Sequence, residues 1–135
     1  AKANLNYAME YVRNALPILE QVVGPDQATF IGQRCARQTG MHSVDFLCEA
    51  FAPTIAGPQD FVRFAGDLLA TDGSITRGSD NQLVLSQWRL FDTTEVSDSV
   101  LAMFNACLAG MLSVIDRFAT LKCVRNGSQI TWQVD

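Results

Sequence analysis

The sequence predicts an α+β domain: a helical N-terminal half, then an antiparallel sheet in strand–strand–helix–strand–strand order with the long helix packed across it. Three observations predict this class. Apolar residues recur every three or four positions up to about residue 70, the period changes to two after Gly73, and a long apolar segment separates two pairs of alternating runs. With 135 residues, 48% of them hydrophobic and 18% charged, residues 1–135 have the length and composition of a single globular domain.

The first two predicted helices are bounded by proline and glycine. Residues 4–23 carry apolar side chains at helical spacing, and Pro17 is expected to kink that helix. The dipeptide Gly24-Pro25 ends it. Asp26 then suits the first turn of a second helix, because a carboxylate interacts favourably with unpaired backbone amides. We expect this second helix to run to about residue 38 and to end at Gly40.

Two more helices are predicted before the sheet. Ser43 is expected to cap a third helix, which Pro53 ends. A fourth begins at Gly57-Pro58, since proline is favoured in a first turn, and ends near Asp72-Gly73.

The second half predicts two hairpins around a buried helix. Residues 74–77 and 82–91 read as strands joined by the turn "GSDN". On the second strand one face is predicted to carry Val84, Trp88 and Leu90, and the other Leu83, Leu85 and Arg89. The helix over residues 97–119 is apolar on nearly all sides, which predicts burial. Its main predicted stripe is Val100, Phe104, Cys107, Met111 and Phe118.

The closing segment "LKCVRNGSQITWQVD" predicts a hairpin with Asn126-Gly127 as a type I′ turn. That register pairs Cys123 with Ile130 and Leu121 with Trp132, all on one face. A terminal hairpin is marginal in isolation, so we expect Trp132 to be buried and to dock the hairpin near Met111 or Ile115.

Charge and cysteine spacing argue against several classes of protein. The net charge is −4 and the ten Lys and Arg residues are scattered, so no basic stripe for nucleic acid is present. Polar residues interrupt the most apolar stretch, which favours a core helix over a membrane span. No Cys-x-x-Cys pair occurs, which argues against a zinc knuckle or a thioredoxin-type motif. We expect no metal site and no cofactor. The polar start of the chain favours a cytoplasmic location.

Two residues are candidates for catalysis. His42 is the only histidine, and Asp45 follows it at a predicted loop-to-helix junction. Cys107 lies in the long helix beside Asn105 and before Gly110, a residue that permits close approach of a backbone or a ligand. An exposed histidine and a small core cysteine explain the same residues without chemistry. Whether the chain is an enzyme is therefore open.

The aromatic residues suggest a binding site instead. Trp88 and Trp132 on the sheet can line one cavity with Phe104 and Met111 of the long helix. A filled core would use the same side chains. Phosphate-loop, nucleophile-elbow, zinc-protease and EF-hand patterns are not found in the sequence.

Residues 82–135 carry a motif order that resembles known families. Cys107, Ala109-Gly110, Cys123, Gly127 and the closing pair Trp132 with Val134 occur within "WRLF…FNACLAGMLSVIDRFATLKCVRNGSQITWQV". This order resembles the C-terminal half of vinyl-reductase-type ligand-binding domains and of their relatives, the families similar to aminothiazoline-carboxylate hydrolase. Ile130 stands where the vinyl-reductase-type pattern has a second cysteine, so the resemblance does not imply a metal site here.

Three functions follow as hypotheses. The first is a small-molecule-binding domain with the ligand between the 97–119 helix, the sheet and the N-terminal helices. The residues expected to contact that ligand are Trp88, Phe104, Cys107, Met111 and Arg89. The second, implied by the resemblance, is a hydrolase of a small heterocyclic carboxylate. It would use Cys107 or His42 as nucleophile or base, and would hold the carboxylate with Arg34, Arg37 or Arg89. The third is a homodimeric interaction module, because the long helix carries more apolar surface than one sheet face can cover.

Overall fold

The protein is an α+β domain, as the sequence predicts. The computed structural model describes residues 14–15, 17–51, 57–70, 73–88 and 97–135, without the side chains of 46–48, 50–51 and 77–78. Helix α1 includes residues 17–23. The other elements, in chain order, are α2 (Pro25–Phe51), α3 (Pro58–Leu69), β1 (Ser74–Ser79), β2 (Gln82–Ser86), α4 (Asp98–Ile115), β3 (Leu121–Asn126) and β4 (Gln129–Val134).

The junction between α1 and α2 lies at Gly24, as predicted. Gly24 has φ +89°, a backbone conformation that glycine adopts readily and other residues rarely do. Its amide donates to the Glu20 carbonyl at 2.9 Å, and its own carbonyl accepts from Ala28 at 3.0 Å. Asp26 lies in the first turn of α2, where its charge favours the helix start. The predicted start of α1, residues 4–13, lies outside the described residues.

The prediction of separate second and third helices is wrong. Helix α2 runs without a break through Gly40 and Ser43. The Ser43 hydroxyl does not cap a helix but donates to the Thr39 carbonyl one turn earlier, at 2.6 Å. The predicted end of the third helix at Pro53 lies outside the described residues.

Gly40 is required by packing rather than by a helix end. A Cβ on Gly40 would lie 2.9 Å from the Cys107 carbonyl carbon of α4 and closer still to its oxygen. Reciprocally, a Cβ on Gly110 would lie 3.1 Å from the Arg37 Cα and closer to its carbonyl oxygen. The two helices therefore cross with their backbones in contact. The expectation that Gly110 permits a close backbone approach is confirmed.

Helix α3 begins as predicted and ends earlier. Gly57 is its N-cap in extended conformation, and Pro58 follows in the first turn. It ends at Leu69 rather than near Asp72. Its buried side chains face the strands and α4: Phe61, Val62, Phe64, Ala65 and Leu69.

The sheet is antiparallel with strand order β1-β2-β4-β3. One face is buried and carries Leu83, Leu85, Ile130, Trp132 and Val134. The opposite face is more exposed, and Val124 on it has 62% of its surface accessible. Alternation along the strands thus places one row of side chains in the core.

The predicted face of Trp88 is wrong, because β2 ends before that residue. The strand stops at Ser86, and Gln87 has φ +51°. This left-handed residue interrupts the alternation, so that Trp88 joins Leu83 and Leu85 in the core instead of lying opposite them. Leu90 and Arg89, predicted on the same strand, lie outside the described residues.

Helix α4 is shorter than predicted at its C-terminal end. The Ser97 hydroxyl caps it by accepting from the Val100 amide at 3.3 Å, and the helix ends at Ile115. Phe118, expected in the buried stripe, lies beyond that end and is 80% exposed. Its ring stacks with the Arg117 guanidinium, 4.7 Å from the ring centroid.

The closing hairpin exists, but its turn lies one residue later than predicted. Asn126 pairs with Gln129, so the two-residue loop is Gly127-Ser128. Only Gly127, at φ +62°, has a positive φ in that loop, which excludes the predicted type I′ turn and matches the glycine of type II′. Cys123 consequently pairs with Trp132, and Leu121 with Val134. Because each partner moves by two residues, the predicted inward face is preserved.

Candidate functional site

Three aromatic rings meet between the sheet and α4. The Trp88 ring lies 4.9 Å from the Phe104 ring and 6.1 Å from the Trp132 ring, with interplanar angles of 79° in both pairs. Both pairs are edge-to-face, an arrangement favoured by the ring quadrupoles. Trp88 is 3% exposed and Trp132 is 2% exposed. The expectation that Trp132 is buried is therefore confirmed. The predicted pairing of Trp132 with Leu121 is wrong, because Trp132 pairs with Cys123.

Most of the predicted ligand residues lie around this cluster. Phe104 and Cys107 are half-buried on α4 and pack against the core. Met111, one turn further along, is buried with 5% of its surface exposed. Arg89, the fifth predicted ligand residue, lies outside the described residues. The structure thus collects Trp88, Phe104, Cys107 and Met111 in one core.

Two buried side-chain polar atoms, one in this core and one on α4, lack hydrogen-bond partners. They are the Trp132 indole Nε1 and the Asn105 side-chain Oδ1, and both are shielded from solvent within the described structure. Buried polar groups in folded proteins nearly always have a partner, and an unpaired one costs about 1–3 kcal/mol. Each of these two atoms therefore has a hydrogen-bonding capacity that the described residues leave unused.

Asn105 faces the core side of α4. It lies four residues after Leu101 and three before Leu108, both of which are buried. It also follows Phe104 directly in the chain. Sequence reasoning did not select Asn105 as a site residue. The available signal was a single amide side chain inside a helix that is otherwise apolar on most sides.

The two catalytic candidates are placed differently. Cys107 is half-buried, and this burial raises the pKa of its thiol above the ordinary value. His42 is exposed on α2, as is Asp45. Within the described residues, no hydrogen bond joins His42 to Asp45 or to Cys107. A protonated thiol without an adjacent base is a poor nucleophile.

The arginines of α2 are exposed. Arg34 stacks over the Phe30 ring at 5.7 Å from its centroid. Arg37 contributes its backbone to the crossing with α4, while its side chain is accessible. Among the described residues no charged residue is buried, so the aromatic core has no buried ionic partner there.

The described structure also contains a surface groove that is separate from the aromatic rings. A surface groove at the start of α3 is lined by Gly57, Asp60, Asn81 and Asp135, among others. It contains none of the predicted ligand residues. Within the described residues, no group of three or more His, Cys, Asp or Glu side chains could hold a metal ion.

Helix α4 is long and apolar enough, by length and composition alone, to cross a membrane. In the fold it packs on α2 and on the strands. Core helices of soluble proteins share these properties, so this observation does not decide between the two environments.

No protein-family model matches the chain, and a search of curated proteins finds no significant relative.

Proposed function

We propose that this chain is a small-molecule-binding domain whose ligand lies between α4, the sheet and the N-terminal helices. The contacts would come from the Trp88, Phe104 and Trp132 rings, with Cys107 and Met111 on the adjoining surface of α4. Small-molecule sites are mostly apolar with a few well-placed polar groups. Three aromatic rings and the unpaired indole N–H of Trp132 match that composition.

The observation that carries the proposal is the unpaired indole Nε1 of Trp132. The residue is 2% exposed, yet the only polar atom of its side chain has no partner in the described structure. An indole N–H can only donate, so it requires an acceptor. If packing were the only role of this residue, an apolar side chain without an N–H would fill the space and avoid the cost of an unpaired buried donor.

The experiment is a titration followed by NMR. The chain has two tryptophans and therefore two indole N–H signals. Quinoline, a neutral heteroaromatic probe, should shift the Trp132 indole signal in a saturable way. The Phe104→Leu variant should bind it at least about fivefold more weakly, which corresponds to a loss of about 1 kcal/mol. Phe118→Leu is the matched control, because Phe118 is 80% exposed. Equal weakening in both variants, or no saturable shift, would reject the proposed site.

The hydrolase suggested by the sequence resemblance has less support. Its nucleophile Cys107 has a raised pKa, and its alternative base His42 is exposed. The third candidate arginine, Arg89, lies outside the described residues. The resemblance to aminothiazoline-carboxylate hydrolase-like families stays a prediction.

A homodimeric interaction module is the second candidate function, and one observation favours it. Exposed apolar side chains lie on α1 and α2, including Val22 at 75% and Phe30 at 55% exposure. Exposed apolar side chains on neighbouring helices are typical of association surfaces when they form one patch. Sedimentation should then report a dimer that Val22→Ser weakens and Val124→Ser, on the open sheet face, does not. A monomer at micromolar concentration would reject this function.

A further inference from the structure

We infer that two copies of this chain associate through the outward face of α2. The two helices pack antiparallel about a two-fold axis at Phe30, so that Asp26 of each copy pairs with the partner subunit's Arg34. The inference rests on the homodimeric candidate function named above and specifies its interface. It is independent of the proposed ligand site, because α2 contacts α4 through its opposite face.

Helix α2 has an inner face and an outward face. Gly32 and Gly40 lie on the inner face, where an added Cβ on either would contact α4. Asp26, Phe30 and Arg34 follow one another at intervals of four residues, and all three are exposed. Residues four apart lie on the same side of a helix with about 3.6 residues per turn. These three residues therefore form one stripe that faces away from α4.

Phe30 is an apolar ring in the middle of this stripe. It is 55% exposed, and the Arg34 guanidinium lies 5.7 Å from its ring centroid. Ile18 and Val22 of α1, which come earlier in the chain, are 60% and 75% exposed. Covering such apolar surface on association is favourable. The centre of the outward face therefore has apolar surface that a second copy can bury.

The charges on the stripe are placed symmetrically about Phe30. Asp26 lies four residues before the ring and Arg34 four residues after it, a rise of about 6 Å along the helix in each direction. Within the described part of the chain, neither side chain takes part in a salt bridge. An antiparallel copy with Phe30 against Phe30 brings each carboxylate level with a guanidinium. Packed helix axes are about 8–10 Å apart, a gap that facing arginine and aspartate side chains close.

A parallel copy does not fit the same face. It would set Asp26 against the partner subunit's Asp26 and Arg34 against the partner subunit's Arg34, and facing like charges are destabilising. The chain also carries a net charge of −4, so two copies repel one another at long range. A specific attraction at the contact has to offset this repulsion. The antiparallel arrangement supplies two such attractions, one on each side of the axis.

The test uses charge reversal and sedimentation of the full chain. Asp26→Arg and Arg34→Asp each place like charges at both symmetry-related contacts, so each should weaken the homodimer at least about tenfold. An equimolar mixture of the two variants should form a heterodimer with a dissociation constant within about threefold of the parent's, because each contact is again a carboxylate against a guanidinium. The two substitutions change the charge by equal and opposite amounts, so the mixed pair has the same total charge as the parent dimer.

The same helix supplies a matched control. Arg37, Met41 and Asp45 repeat the spacing of four with the charges in the opposite order, and all three are exposed. Phe30 is 55% exposed and Met41 37%, so the axis is assigned to the residue with more apolar surface to bury. Asp45→Arg should therefore change the dissociation constant of the dimer by less than about threefold. If Asp45→Arg and Arg37→Asp show the loss and the recovery instead, the axis at Phe30 is wrong.

Phe30→Ser is a second variant that does not depend on charge. The ring is exposed, so its removal leaves the core intact, and circular dichroism verifies the fold of every variant. The dimer should weaken at least about tenfold, because the ring is lost from both sides of the axis. A dimer that persists in Phe30→Ser would overturn this interface, and so would single reversals that the mixture does not rescue. A parent chain that sediments as a monomer at micromolar concentration would overturn both the interface and the homodimeric function.

Discussion

Gly40 of α2 lies directly on the backbone carbonyl of Cys107 in α4, with no space between them for a side chain. Gly110 makes the reciprocal contact with Arg37, so two glycines allow the helices to cross with their backbones touching. This crossing holds α2 against one side of α4, while the sheet packs on α4 as well. The position of α4 therefore depends on this crossing, and so do the positions of Phe104 and Asn105 on that helix.

Gly40→Ala should destabilise the protein. In an exposed helix, replacing glycine by alanine gains about 1 kcal/mol. Here the new methyl group would force the backbones apart, and overpacking of this kind costs about 1–3 kcal/mol or more. We therefore expect a lower midpoint in urea unfolding, opposite in sign to the helix-propensity effect.

Gly57→Ala is the control for that experiment. A Cβ on Gly57 meets nothing within 4 Å, and the residue caps α3 in extended conformation. Its substitution should cost about 1 kcal/mol or less. If Gly40→Ala is as stable as the parent or more stable, the close crossing of α2 and α4 is incorrect.

Gly40 was predicted to end a helix, and in the structure it lies at the crossing of α2 and α4 instead. Glycine ends helices and also permits helices to touch, and the local sequence does not distinguish the two roles. The period of the apolar residues correctly predicted the α+β class and the antiparallel sheet, and Gly57-Pro58 correctly predicted the start of α3. The choice between a helix end and a crossing depends on Cys107, 67 positions later in the chain.

The sequence predicted part of the candidate site correctly: it placed Trp132, but not Trp88, on the buried face. Alternation placed Trp132 correctly on the buried face, because a register change of two residues preserves the face. Trp88 was assigned to the wrong face, because the positive φ of Gln87 has no sequence signal such as glycine or asparagine. The sequence does not identify Asn105 as a site residue. A polar side chain in an apolar helix is informative only if it lacks a hydrogen-bond partner, and the sequence does not show which groups surround it in the fold.

Trp132→Ala should lower stability strongly. The side chain is 2% exposed and contacts the Trp88 ring, so its loss opens a large cavity. Replacing a buried tryptophan by alanine typically costs about 3–5 kcal/mol. Thermal and urea unfolding measure this loss. Val124→Ala, 62% exposed on the same hairpin, should change stability by only about 0.5 kcal/mol. A Trp132→Ala protein that unfolds like the parent but loses only ligand binding would show that the residue serves the site and not the fold.

Asn105→Leu should leave the ligand-free protein as stable as the parent, or more stable by about 1 kcal/mol. The substitution removes a buried acceptor that has no partner, and it adds apolar volume of similar size. Ser113→Ala provides the contrast, because the Ser113 hydroxyl donates to the Gly110 carbonyl at 2.7 Å. That variant should lose about 0.5–1.5 kcal/mol. A marked loss of stability in Asn105→Leu would mean that the amide is paired in solution.

Cys107 should react slowly with iodoacetamide. Burial raises the pKa of its thiol, so at a given pH less of the reactive thiolate is present than for an ordinary cysteine. Its labelling rate should therefore rise with pH along a curve displaced to higher pH. Cys35, exposed on α2, is the internal control. Peptide mass spectrometry after labelling at pH 7.4 should find Cys35 modified first. Faster labelling of Cys107 would restore it as a candidate nucleophile.

The location of a bound ring is the most direct test of the proposed function. Crystals soaked with 6-bromoquinoline give an anomalous signal from bromine that identifies the ring without ambiguity. We predict a bromine peak in van der Waals contact, about 4 Å, with the side chain of Trp88, Phe104 or Trp132. Bromine found only on the exposed apolar residues of α1 and α2, or in the groove beside Gly57, would contradict a binding site between α4 and the sheet.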